Sequence, residues 1–169
     1  MSDPKEKIAA WMRQEFESNI WSVLGMSIGD SPIENVLICA VYAVVEARSH
    51  ILPSFNSGEK QEMPEVAAKR ISEQRGEDFI YQTQAHIEKY RADFLFVYND
   101  YEAGIRQLVV ECDGHDFHER TKDQAAHDRA RDRRLQELGY TVYRFTGSEI
   151  YRDPIRCALQ IVNWAWGGA

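Results

Sequence analysis

Asp93, Glu111 and Asp113 are carboxylates set among apolar residues, in segments 91–98 (RADFLFVY) and 105–113 (IRQLVVECD). Both segments are rich in β-branched and aromatic residues and read as strands. The polar link Asn99-Asp100-Tyr101-Glu102-Ala103-Gly104, with glycine at its end, joins them as a hairpin. With the turn centred near Glu102, antiparallel pairing sets residue i opposite about 204 − i, so Asp93 faces Glu111. Directly opposed residues share a side of the sheet, with Cβ atoms about 4.5–5.5 Å apart. A period of two carries Asp113 to that side as well. Like charges gathered there are destabilising unless a cation sits between them. Hard oxygen ligands at strand ends suit Mg²⁺ or Mn²⁺. Taken singly, Asp93 also reads as a strand-start residue and Asp113-Gly114 as an ordinary turn. The shared face is what favours a site. A rival metal reading uses Cys112, His115, His118 and His127, whose N and S donors suit zinc. Against it, Cys112 alternates away from its two acidic neighbours.

The flanking elements must hold this hairpin. Residues 4–24 predict a helix with an imperfect apolar stripe of Ile8, Trp11, Met12, Ile20 and Leu24. Ser31-Pro32-Ile33-Glu34 predicts a capping box with proline at the first helical position. Ile33, Val36, Leu37, Ala40, Val41, Val44 and Val45 then form one buried face of a helix reaching about His50. Residues 52–60 read as a loop, 62–75 as a polar helix, and 79–87 as a strand. After the hairpin a helix runs from Thr121 at its N-cap, with Gln124 three residues on, to Leu138, closed by Gly139. Asp128 and Arg131 share a helix face with Leu135 and Leu138. That face turns to the sheet, so a buried ion pair is the first reading and a phosphate contact the second. Residues 140–146 predict a strand. Asp153-Pro154 starts a last helix with Ile155, Ala158, Leu159 and Val162 buried. This order gives an α/β fold with a mixed sheet.

The chain has 169 residues, 44% hydrophobic and 28% charged, an ordinary balance for one domain. Its net charge of −7 speaks against a simple basic wrapper around DNA. The charge is uneven: residues 119–156 carry 9 Lys/Arg and 7 Asp/Glu, leaving 11 basic and 20 acidic residues elsewhere. A polyanion would therefore prefer the C-terminal third. Three scattered cysteines give no disulfide framework, and the reading is cytoplasmic, without a signal peptide or membrane span.

Arg91-Ala92-Asp93-Phe94, Val109-Val110-Glu111-Cys112-Asp113-Gly114 and Phe117-His118 resemble the core of the PD-(D/E)XK nuclease superfamily. The branch grouped with very-short-patch repair endonucleases is the most similar. It shares the Ser-Pro-x-Glu helix start with Glu34 and a glutamine before the first catalytic strand, here Gln84. It also shares Asp128-x-x-Arg131-x-x-x-Leu135-x-x-x-Gly139-Tyr140-x-Val142-x-Arg144-Phe145. The resemblance covers roughly residues 31–152. Residues 1–30 then form a helical extension and 153–169 a C-terminal helix packed on the core.

The resemblance implies a restriction-endonuclease-like core, a central mixed β-sheet flanked by helices. It implies metal-dependent hydrolysis of DNA phosphodiesters, by in-line attack of metal-activated water on phosphorus. Mg²⁺ (or Mn²⁺) would lie on Asp93 and Glu111, with Glu34 reaching in from its helix. The usual pattern places lysine two residues after the glutamate, where this chain has Asp113. A lysine would stabilise the attacking hydroxide or the charge building on phosphorus. Asp113 would instead bind metal, orient water or be structural. The repair branch also lacks the lysine and uses a nearby histidine, which His118 matches, with His115 as its substitute if the loop turns the other way. The catalytic set is then Asp93, Glu111, Asp113 and His118. Arg131, Arg129, Lys122 and Arg133 are the candidates for DNA phosphates, though Arg129 and Arg133 also read as a solvated face. Trp164 and Trp166 are assigned to packing or to a homodimer contact. The alternative is a nuclease-fold module that has lost its chemistry with the lysine and binds nucleic acid or a protein partner.

Overall fold

A computed structural model describes residues 4–24, 30–48, 54–55, 78–100, 104–114 and 122–167. Helix α1 spans Pro4–Leu24 and α2 Pro32–Ala47. Strand β1 is Ser54–Phe55, β2 Asp78–Ile87, β3 Tyr90–Asp100 and β4 Gly104–Asp113. Then come α3 (Lys122–Glu137), β5 (Thr141–Thr146), α4 (Gly147–Arg152) and α5 (Pro154–Trp166). The five strands lie in the order β1-β2-β3-β4-β5. The two inner hairpin contacts are antiparallel, and both outer pairs, β1 with β2 and β4 with β5, are parallel. The α/β reading holds: a mixed sheet flanked by helices.

Two apolar clusters separate the layers. On one face, Leu37, Val41 and Val44 of α2 and Ala158, Ile161 and Val162 of α5 pack on Phe79, Tyr81, Phe94, Phe96, Leu108 and Val110. On the other, Leu135 of α3 and Tyr140 pack on Ile80, Leu95, Val97 and Val109. The alternation of β3 and β4 thus feeds both faces, which is why their sequences read as nearly unbroken apolar runs. Gly139 ends α3 with φ +91°, a conformation glycine adopts without Cβ strain. Its N–H donates to Gln136 at 2.9 Å and that of Tyr140 to Leu135 at 3.0 Å, the paired bonds of a Schellman motif.

Several expectations change in detail. Strands β3 and β4 run further than predicted, so the link between them shrinks to residues 101–103. Residues 52–60 contain the short strand β1 where a loop was expected. Helix α2 ends at Ala47, short of His50. Helix α4 is additional: Thr146 caps it and Glu149 returns the bond, making a complete capping box. The box expected at Ser31 is only half formed. Ser31 accepts from the Glu34 N–H at 3.3 Å, but the Glu34 carboxylate reaches past it to Asp30. In α5 the buried side holds Cys157, Ala158, Ile161, Val162 and Ala165, and Ile155 is 46% exposed. Leu138 is likewise exposed at the end of α3. Helix α1 forms over the predicted span, yet Ile8 and Trp11 of its apolar stripe are exposed. Trp164 and Trp166 pack against the core, Trp166 edge-on to Phe79 and Tyr98, so the packing assignment holds for both. The helix expected over 62–75 and the Thr121 cap lie outside the described residues.

Candidate active site

The candidate site lies where the sheet's ladders break. Strands β2 and β3 pair on either side of Gln84 and Asp93, at Thr83↔Phe94 and Ala85↔Ala92, but skip that row. Gln84 has φ +51°, a left-handed conformation that bulky side chains rarely adopt. The β3–β4 ladder keeps the expected register from Asp100↔Gly104 to Phe94↔Val110, then stops one step before Asp93 and Glu111. In place of a backbone carbonyl, Asp93 Oδ2 accepts the Cys112 N–H at 2.7 Å. The carboxylate is thereby fixed across the opening between strands.

Strand β4 turns Glu111 and Asp113 toward the α3 side, and both are buried, at 5% and 8% exposure. Cys112 alternates to the opposite cluster, as expected. Each acid meets a guanidinium. Arg131 of α3 donates through Nη2 to Glu111 Oε1 and, at 2.7 Å, to the Arg91 carbonyl. Its guanidinium stands over the Tyr90 ring, 5.8 Å from the centroid. The parallel β4–β5 register sets Arg144 beside Glu111. Arg144 Nη1 reaches Asp113 at 3.3 Å, while Nε and Nη2 fork onto Asp132 of α3, the shortest contact being 2.7 Å. This two-pronged geometry is the strong form of the arginine–carboxylate contact.

Glu34 approaches from the other layer at the start of α2 and is 5% exposed. Its Oε2 accepts from the Asp30 N–H and from Gln84 Nε2, each at 3.0 Å. Gln84 Oε1 is buried and has no hydrogen-bond partner. Asp93 is the link among the acids, acting on both Glu34 and Glu111, while Asp113 acts on Asp93 and Glu111. Burial is the largest effect at Glu34, Asp93 and Glu111, and it raises each of them from its ordinary value. The charge of Asp93 adds to the rise at Glu34, and that of Asp113 to the rise at Asp93. Glu111 is pushed up to about 8, because burial together with Asp93 and Asp113 outweighs Arg131 and Arg144.

Among the described residues no group of three His, Cys, Asp or Glu side chains is arranged to hold a metal ion. The donor chemistry nonetheless fits a hard divalent cation: oxygen ligands only, buried and mutually repelling. The place at Glu111 is filled by the Arg131 guanidinium. Glu111, Asp93 through its second oxygen, and Glu34 are the carboxylates that could take such an ion. His118 and His115 lie outside the described residues, as does the rest of 115–121. Lys122 opens α3, and Arg129 and Arg133 are exposed on it. The ion pair expected from the sequence involves Asp128 and Arg131 together; Arg131 forms one with Glu111 of β4. His127 is exposed and Cys112 sits on the other face, so these two members of the zinc set do not converge.

Arg144, Asp132 and the Arg131–Glu111 contact had no assigned role in the sequence. Arg144 stands in the resemblance as a pattern position only, whereas Arg131 reads as a buried ion-pair partner or a phosphate contact, without Glu111 as its acid. The signal for Arg144 was the acid at 113, which needs a cation once buried; nothing in the sequence marked Asp132.

The model of a restriction-endonuclease-like family, REase_MTES_1575, matches residues 65–164. The chain belongs to this family. The match contains Gln84, Asp93, Glu111, Asp113, Arg131 and Arg144, and it begins after Glu34. Neither a curated protein nor a solved structure matches the chain.

Proposed function

We propose that the protein is a divalent-metal-dependent endonuclease that hydrolyses phosphodiester bonds in DNA. One observation carries this reading. Half-buried Asp93 and buried Glu111 stand just past the end of the β3–β4 ladder, inside the span that matches a restriction-endonuclease-like family. Burying two coupled acids is costly and gives the fold nothing that apolar residues would not. Such cost is commonly found at functional sites. Within the family, Gln84, the Asp128-x-x-Arg131 spacing and a histidine in place of the lysine favour the branch that includes very-short-patch repair endonucleases.

Asp93, Glu111 and Glu34 would hold Mg²⁺ or Mn²⁺, which supplies a lowered water pKa and neutralises charge on the phosphoryl oxygens. Asp93 is oriented by the Cys112 N–H, so its free oxygen keeps a fixed direction. Arg144 holds Asp113 from the neighbouring strand and puts a permanent positive charge beside the position where the superfamily has lysine. Asp132 fixes the Arg144 fork. His118 follows the Gly114 turn and is assigned the proton for the leaving oxygen, a role its ordinary pKa of about 6.5 suits. Arg129, Arg133 and Lys122 on α3 supply charge for the DNA backbone.

The second reading, a binding module without chemistry, is favoured by the Arg131 contact on Glu111 and by Asp113 itself. One experiment separates the two. Plasmid and single-stranded DNA are incubated with the protein in Mg²⁺, Mn²⁺ or EDTA, beside Asp93→Asn. Metal-dependent cleavage absent from the variant supports the enzyme. DNA retention in a gel shift without cleavage in any metal supports the binder. Equal cleavage by both proteins marks a contaminating nuclease.

A further inference from the structure

Glu111 Oε1 already has a cation on it. Arg131 reaches it from α3, and the pair is largely shielded from water, at 17% and 7% side-chain exposure. The same guanidinium is fastened by the Arg91 carbonyl and the Tyr90 ring. Yet it is incompletely satisfied: Arg131 Nε is buried and has no hydrogen-bond partner. A guanidinium has five N–H donors and no acceptor, so an orphaned Nε–H is a standing cost of this position. The carboxylate gains from the contact and the arginine loses part of that gain. Such a pair is poised for exchange.

We propose that Arg131 is a displaceable internal counter-ion, which occupies the cation position at Glu111 in the free protein and gives it up to a divalent metal. This rests on the metal-dependent reading above. The exchange replaces one positive charge by two beside Asp93, Glu111 and Asp113, where the acids repel one another. It also releases Nε to solvent or to a new acceptor. The released side chain stays on α3, and a phosphate oxygen brought to the site is a better acceptor for it than the Arg91 carbonyl. Arg131 is thus a positioning residue for the metal in the free protein. It keeps the acids neutralised and keeps metal affinity low until a polyanion offers the arginine another partner.

The test uses Mn²⁺ alone, without nucleic acid, on the full chain. Free Mn²⁺ is counted by electron paramagnetic resonance for the parent, Arg131→Gln and Glu111→Gln. Removing the competitor should tighten Mn²⁺ binding by at least about tenfold in Arg131→Gln, the scale of a shielded ion pair that no longer has to be broken. Glu111→Gln should lose the binding. If parent and Arg131→Gln bind equally while Glu111→Gln does not bind, the exchange is wrong and the metal site stands. If Arg131→Gln binds no Mn²⁺ at all, both ideas fall together. A second measurement needs no variant beyond a resonance assignment. In the parent, a Mg²⁺ titration should move the shielded Arg131 Nε–H signal toward that of a solvated arginine. A signal unmoved at Mg²⁺ saturation overturns the exchange.

Discussion

Glu111 should make the metal-free protein lose stability as the pH rises, the opposite of ordinary acid denaturation. Its carboxyl is held at about 8, against 4.5 for the free side chain, chiefly by burial. The folded protein therefore binds this proton more tightly than the unfolded chain does. Its contribution is whole below pH 4.5 and drains away as the pH climbs toward 8. At about 1.36 kcal/mol per pH unit, that gap corresponds to on the order of 4–5 kcal/mol. Asp93 and Glu34 are raised as well and push in the same direction. For a chain of this length, each kcal/mol moves the melting temperature by about 2–4 °C, so a fall on the order of 10 °C is expected between pH 5 and pH 8.5. Melting in EDTA across that range measures it. Glu111→Gln carries no titrating proton and should flatten most of the slope, gaining on the parent at pH 8.5 and matching it near pH 5. Equal slopes in the two proteins would refute the argument, because burial of Glu111 is then not what sets the pH dependence.

Three further outcomes follow from the same geometry. Asp93→Asn should abolish metal-dependent cleavage and leave the circular dichroism unchanged, with a melting temperature equal to or above the parent's, since it relieves repulsion among the acids; a lower melting temperature would show that the Cys112 contact outweighs that repulsion. Arg144→Met removes the cation shared by Asp113 and Asp132 and should cost about 1–3 kcal/mol in urea unfolding, with part of that recovered when Asp113→Asn is added; strict additivity of the two changes would deny the coupling. His118→Ala should keep Mn²⁺ and DNA binding but lower turnover at least about tenfold and flatten one limb of the pH–rate profile; full activity there, with loss in His115→Ala, would move the role to His115.

The parts legible in the sequence are those set by local rules. The hairpin register could be read because a short link fixes which residues face each other, and Phe94↔Val110 through Asp100↔Gly104 follow it. The caps at Ser31 and Asp153, the glycine stop at Gly139 and the span of α1 are also local, and each is found. What could not be read depends on distant pairing. The two residues of β1 carry no periodicity at all, and only the edge of β2 makes them a strand. The buried side of α5 turned away from Ile155 because α2 and the sheet, not the helix's own pattern, decide which side is covered. The break at Gln84 and Asp93 is likewise invisible in a run that reads as two continuous strands.

The same division explains the missing lysine. Lysine two residues after Glu111 would share a strand with it, and its role would be readable from spacing alone. In this chain the cations stand on other elements: Arg144 on β5, beside Glu111 through a parallel crossover, and Arg131 on the helix inside that crossover. A parallel register is set by how the connection packs on the sheet through Leu135 of α3 and Tyr140 after it, not by a turn. Asp113 then reads as one partner of a pair whose other half lies 31 residues downstream. Its substitution for lysine looks like lost chemistry only while β4 is considered by itself. With β5 in place, the strand end keeps a fixed positive charge within 3.3 Å of position 113, carried by a group that stays protonated at any working pH. Such a group can stabilise charge but cannot move a proton, so under the proposed reading proton transfer falls to a residue such as His118.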